Sequence, residues 1–209
     1  MLNQIRPAIV MLALFSALTG LAYPLAVAGI AQMVAPSQAN GGLLRLKGKV
    51  VGSFLIGQNF ASERYFHGRP SATQAQDPAH PDDPSKTIDA PDNAANSAGS
   101  NLGPTSQKLV ERVKADVAAQ RAAGVTGPIP ADSVTSSASG LDPDISPQYA
   151  LDQVAAVAKA RHLPAERVRA LVQAHIEDRT VGIFGEPRVN VLLLNIALDE
   201  LSSSSSSSS

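Results

Sequence analysis

Between Arg6 and Arg45 no residue carries a charged side chain, and this stretch constrains the chain more than any other feature. Its apolar part, Ala8 to Val34, is about 27 residues long, or roughly 40 Å as a helix against a hydrocarbon core of roughly 30 Å. A helix with no polar face cannot lie on the surface of a soluble domain, and burying one this long would need a large protein around it. Residues 8–34 therefore read as one transmembrane helix. Pro24 lacks an amide donor and marks the expected site of a bend in it. The rival is a cleaved signal peptide, with Ala26-Val27-Ala28 as the small-residue site. The apolar region of such a peptide is normally about 7–15 residues, so length favours a retained anchor.

Arg6 precedes the span, and Arg45, Lys47 and Lys49 follow it. A positive-inside count mildly favours a cytoplasmic C-terminal domain, but long domains translocate largely regardless of local charge. Within the span Ser16 and Gly20 lie at i, i+4, beside Ala13 and Ala17. This small-residue face would let a partner helix pack closely.

Beyond the span the chain reads as a single mixed α+β domain, residues 35–201. Pro36 to Gly42 is a polar linker, Val50 to Ile56 a β-type run, and Tyr65 to Pro70 a short extended piece. Ser71 to Gly103 has almost no large apolar residues and cannot bury a core of its own. A helix is expected from Pro104 to Ala123, with Leu109, Val110, Val113 and Val117 on its apolar face and Gly124 as its stop. Ala131 to Ser146 is a second loop. Ser146 then caps a helix with Pro147 in its first turn, running to Arg161 and burying Leu151, Val154, Ala155 and Ala158. The next helix starts near Pro164 and shows Val168, Leu171, Val172 and His175 at i, i+3, i+4, i+7. Thr180 to Gly185 is a turn or short extended piece, and Arg188 to Asn195 a strand. Asn195 is expected to cap a final turn, Ile196 to Leu201. The serine run 202–209 is a disordered tail outside the fold.

Composition narrows the chemistry. Net charge is −1, which gives no electrostatic footprint for nucleic acid. There are no cysteines, so disulfides, thiolate metal sites and cysteine nucleophiles are excluded. No Gly-x-Ser-x-Gly elbow or Walker motif appears. His67, His80, His162 and His175 have no metal-ligand spacing, and His175 reads as a hydrogen-bonded core histidine. Asp142, Asp144 and Asp152 fit turns and caps better than a cation site. No catalytic residue and no metal ligand is expected.

Five motifs follow the span in order: Gly52-Ser53-x-Leu55-Ile56-Gly57-Gln58, Tyr65-Phe66-x-Gly68-Arg69-Pro70-Ser71, Gly99-Ser100-Asn101-Leu102-Gly103-Pro104, Ser137-Ala138-Ser139-Gly140-Leu141-Asp142-Pro143 and Gly185-x-Pro187-x-Val189-Asn190-Val191. In this the chain resembles the C subunit of the bacterial high-affinity potassium-transporting P-type ATPase, the Kdp complex. The resemblance covers nearly all of the chain except the serine tail.

It implies a single-pass subunit of the bacterial inner membrane with residues 1–7 in the cytoplasm and an extracytoplasmic domain, contrary to the charge count. The partners it implies are a channel-like potassium-binding subunit, a P-type ATPase subunit and a small membrane subunit, which together handle ATP and potassium. Within the family, contacts to ATP have been suggested for positions that here are Ser100, Asn101, Gly103 and Gln148, but Ala98 stands where a glycine is common. An extracytoplasmic domain cannot reach cytoplasmic ATP, which favours a structural or ion-entry role. The expectation is a non-catalytic accessory subunit that binds no cofactor of its own. The alternative is a membrane-anchored or secreted binding module unrelated to ion transport, using residues 71–103 as its contact surface.

Overall fold

The computed structural model describes residues 2–206, which divide into two compact units after Val51. The first unit is dominated by one continuous helix, Ile5–Val34, of 30 residues, none of it buried and long and apolar enough to cross a bilayer. It consists of α1 (Ile5–Ala17), a π turn (Leu18–Ala22) and α2 (Tyr23–Val34). Proline cannot donate to the helical ladder, and Pro24 stands in the first turn of α2, directly after this wider turn. The Tyr23 amide bonds the Leu18 carbonyl, five residues back. The Thr19 hydroxyl donates to the Phe15 carbonyl at 2.7 Å, a local bond that lets the ladder loosen.

After the span, the expected linker contains a short helix, α3 (Pro36–Ala39), rather than a plain coil. Asn40 ends it: its Nδ2 donates to the Pro36 carbonyl at 2.7 Å. Strands β1 (Leu43–Leu46) and β2 (Lys49–Ser53) pair as a two-stranded sheet. Lys47 and Gly48 between them both have positive φ, 49° and 80°, as a tight hairpin turn requires. The β-run expected to reach Ile56 stops at Ser53, whose hydroxyl accepts the Leu55 amide at 3.1 Å and starts a turn.

The second unit is α+β, with its core between three helices and a small sheet. Strands β5 (Asp144–Ile145), β7 (Arg188–Asn190) and β6 (Ile176–Glu177) lie in the order β5-β7-β6, both pairs antiparallel. Helices α5 (Pro147–Arg161) and α6 (Ala165–Ala174) connect β5 to β6, and α7 (Val191–Ser206) follows β7 without a loop. Ser146 caps α5 as expected, its hydroxyl accepting the Tyr149 amide at 3.1 Å. The buried stripe of α5 is Ala150, Gln153, Val154, Val157, Ala158 and Arg161, a one-face helical spacing. Ala155, expected inside, faces water one step around the helix. With Val168 and Val172 of α6, Val189 of β7 and Leu194 and Leu198 of α7, this stripe forms the main core, and Phe66 plugs into it.

The strand expected over Arg188–Asn195 ends at Asn190. A continuous apolar run fits a buried strand or a buried helix equally. Here Val191, Leu194, Asn195 and Leu198 are buried at i, i+3, i+4, i+7. Asn190, not Asn195, acts at the helix start, accepting the Leu193 amide at 3.2 Å. Helix α7 also takes in the first serines of the tail. The Ser202 hydroxyl donates to the Leu198 carbonyl at 2.9 Å and accepts from Arg161 at 3.1 Å, which joins it to the fold; residues 207–209 of the run lie outside the described residues.

Residues 71–103 contain a hairpin, β3 (Gln74–Gln76) with β4 (Thr87–Asp89), pairing Ala75 with Ile88. Helix α4 (Gln107–Ala122) forms as expected and has no buried residue; Leu109, Val113 and Val117 are half-buried and Val110 is exposed. Tyr65 to Pro70 forms no strand.

Candidate functional site

Tyr65 to Pro70 lacks a strand partner, so its backbone polar groups must be satisfied by other means. Side chains from two helices do it. Asn195 of α7 accepts the Phe66 amide and donates to the Phe66 carbonyl, both at 2.9 Å. Gln153 of α5 does the same for His67, at 2.8 and 3.2 Å. Two residues before Phe66, Arg161 of α5 donates from Nε to the Arg64 carbonyl at 2.6 Å, pairs with Asp199 at 2.7 Å, and lies 4.6 Å above the Tyr65 ring. Two carboxamides thus stand in for a neighbouring strand, on consecutive residues.

This clamp aims Arg69 and Ser71 at the segment Ser137–Pro143. Arg69 pairs with Asp142 at 2.8 Å. The Ser71 hydroxyl donates to the Gly140 carbonyl at 2.8 Å, and the Ser137 amide to the Pro70 carbonyl at 3.1 Å. The other motifs reach the same segment. The Gly57 amide donates to the Leu141 carbonyl at 2.8 Å, and the Val191 amide to the Pro143 carbonyl at 3.0 Å. The Ala98 amide and Ser97 hydroxyl both donate to the Ser139 carbonyl, at 2.9 and 3.0 Å. Four of the sequence motifs, the third through Gly99 and the two residues before it, therefore meet on the remaining one, Ser137–Pro143.

Glycine is required where they meet. A Cβ on Gly99 would stand 2.6 Å from the Ala138 carbonyl oxygen, and one on Gly57 would stand 2.8 Å from Asp92 Oδ1 and 2.9 Å from the Asp142 carbonyl. Gly140, at φ +68°, would meet the Thr73 methyl and the Ala98 carbonyl. A cavity of about 10 Å³ remains among Gly57, Gln58, Gly68, Asp92, Asp142 and Pro143, room for about one water. Asp92 borders it without an ion-pair partner among the described residues, and burial pushes its carboxyl up to about 6. Burial also raises Asp144, opposed by its hydrogen bond from Asn190 and by Arg188.

The residues singled out by sequence are only partly gathered here. Ser100 is half-buried, while Asn101, with φ 51°, and Gly103 are exposed on the turn before α4. Gln148 is exposed on α5 and bonds Asp152 at 2.7 Å. Among the described residues no hydrogen bond joins Gln148 to that turn. Ser16 and Gly20 lie in the first unit, and a Cβ on Gly20 would meet nothing within 4 Å. His175 bonds the Leu171 carbonyl at 2.8 Å from a half-buried position, and His80 pairs with Asp77 at 2.8 Å. Among the described residues no group of three or more His, Cys, Asp or Glu is arranged to hold a metal ion. Sequence marked neither Gln153 nor Arg161 as a site residue, and Asn195 only as a helix cap. Gln153 and Asn195 carry a legible signal, a carboxamide on an otherwise apolar buried stripe, which has to find partners inside.

A family profile described as KdpC, the K+-transporting ATPase c chain, matches residues 5–200. The chain belongs to the KdpC family. The potassium-transporting ATPase KdpC subunit of Methylorubrum extorquens is 59% identical over 201 residues, 96% of this chain and 98% of that one. The subunit of the same name from Methylobacterium nodulans is 60% identical over the same shares. That from Bradyrhizobium diazoefficiens is 58% identical over 199 residues, 95% of this chain and 98% of the relative. Membership in the KdpC family makes the chain a component of a potassium-transport complex that works with other subunits. It removes the reading of a binding module unrelated to ion transport.

Proposed function

We propose that this KdpC-family chain is a non-catalytic accessory subunit that stabilises the channel-like potassium-binding subunit and the P-type ATPase subunit in one assembly. Its span sits in the bacterial inner membrane and its second unit is extracytoplasmic. Potassium selection and ATP hydrolysis belong to the partners.

The observation that carries this reading is the convergence of the other four motifs on Ser137–Pro143. Their glycines, hydroxyls and amides are engaged with one another. Polar groups so engaged hold a shape, and a shape held this firmly suits a surface that partners dock on. The turn Gly99–Pro104 fits the same view, with Gly99 packed on the Ala138 carbonyl. Ser100, Asn101, Gly103 and Gln148 then belong to the scaffold and its surface rather than to a nucleotide cradle.

The test is co-expression with the other subunits of the complex, followed by purification in mild detergent through a tag on this chain. Stoichiometric recovery of the larger subunits is expected, and their absence would remove the proposal. Protease added to intact spheroplasts should cut the second unit; full protection would overturn the extracytoplasmic assignment.

A further inference from the structure

The hairpin between β6 and β7 ends in a tip that the rest of the fold does not cover. Val181, Ile183 and Phe184 are 82, 73 and 69% exposed, three large apolar side chains within four residues. Beyond the span the other exposed large apolar residues are less exposed and more spread out, with Leu43, Leu46 and Val50 at 41–54% on the β1–β2 hairpin and Leu55, Ile88 and Val110 standing singly, which is ordinary for a soluble surface. A contiguous group marks a contact.

The tip is held in place. Ile176 and Glu177 pair with Val189 and Arg188 in the sheet. Arg188 bonds Glu177 at 2.9 Å and Arg179 bonds Glu186 at 2.7 Å, so two ion pairs brace the stalk. Thr180 and Phe184 close the end through a β-bridge. Within it Val181 has φ +56°, a conformation that a β-branched residue adopts only under strain. Strain of this kind is characteristic of ligand clamps and other functional positions. The exposed apolar surface and the strained residue coincide.

Charge decides what covers the tip. From Glu177 to Arg188 the chain has two arginines and three carboxylates. Both arginines are in ion pairs. Asp178 is the one charged residue of the five without a described ion pair or hydrogen bond. A hairpin with no spare cation and a spare carboxylate is not drawn to an anionic lipid surface, which favours Lys and Arg. It suits an apolar pocket on a protein, with a basic group at its edge.

We infer that Val181, Ile183 and Phe184 form a docking knob that inserts into an apolar pocket of another subunit of the same ATPase, with Asp178 facing a lysine or arginine on the pocket rim. This rests on the accessory-subunit reading above and names the surface it uses.

The chain has no cysteine, so Val181→Cys gives a single attachment point on this chain for a photo-crosslinker, used in the full, co-expressed complex with the unaltered chain as the control for labelling of other subunits. Crosslinking to another subunit is expected. Quenching of a fluorophore at the same position by brominated lipid, without a crosslink, would overturn the inference in favour of the membrane. A second arm uses Ile183→Ser with Phe184→Ser, which leaves the stalk ion pairs in place; the ratio of co-purified subunits should fall about tenfold, as for loss of an aromatic anchor. Asp178→Lys should lower the ratio at low salt and less so at high salt. If the unaltered chain recovers its partners and the double variant recovers them equally, the knob is wrong and the accessory role stands. If the unaltered chain recovers none, the accessory role itself fails.

Discussion

Replacing Asn195 by Leu keeps the branched outline and heavy-atom count of the side chain and removes both bonds to Phe66. Asn195 is 1% exposed and Phe66 fully buried, so no water replaces what is lost. Two buried backbone groups, one donor and one acceptor, are left unpaired, each costing about 1–3 kcal/mol. The gain from an added apolar side chain offsets about 1–2 kcal/mol of that. Taken at the middle of these ranges, the net expectation is a loss of about 2.5 kcal/mol, large beside the whole stability of a domain of this size. Gln153→Leu should cost less, about 1–2 kcal/mol, because His67 is half-buried and one of its bonds is long at 3.2 Å. Since the two carboxamides grip consecutive residues, the double variant should cost less than the sum. The assay is urea unfolding of the full chain in detergent, with hydrogen exchange read at the Phe66 and His67 amides. A loss below about 1 kcal/mol for Asn195→Leu, or unchanged protection of the Phe66 amide, would refute the clamp.

Asp92 has a pH signature. Its folded carboxyl is raised from 3.8 to about 6 by burial, so the folded state binds the proton more tightly than the unfolded one. Stability should therefore fall as pH rises from about 4 to about 6 and then level off, by about 1–2 kcal/mol after solvent screening. Asp92→Asn should remove that component; identical pH–stability curves for the two proteins would contradict it. Gly140→Ala, at φ +68° and against the Ala98 carbonyl, should cost about 2 kcal/mol or more, read by urea midpoint; an unchanged midpoint would mean the motif cluster tolerates movement. Gly20→Leu meets nothing within the chain itself, so any fall in recovery of the complex reports a partner helix at that face, and unchanged recovery rejects close packing there.

The elements with local chemical punctuation were legible. Ser146-Pro147 announced α5 to the residue, and α4 kept its place from Pro104 and Gly124. The uncharged stretch after Arg6 defined the long helix. What sequence alone did not resolve depended on contacts distant along the chain. Val191 to Leu194 has the same apolarity as a strand or a helix, and the choice follows from Asn190 taking the Leu193 amide. Tyr65 to Pro70 looked extended because its partners, Gln153 and Asn195, lie 86 and 129 residues away from the positions they hold. The motifs were visible one by one; their common meeting point on Ser137–Pro143 was not, since no local pattern encodes it.

The wide turn in the span has a geometric outcome of its own. Each residue of an α-helix advances the azimuth by about 100°, and a single π turn absorbs one extra residue. Everything from Tyr23 to Val34 is therefore rotated by about that angle relative to an unbroken helix continued from α1. A neighbouring helix laid along Ser16 and Gly20 in one leaflet would touch, in the other, a set of side chains that simple heptad counting misassigns. Deleting one residue between Leu18 and Ala22 would bring the two halves back into phase.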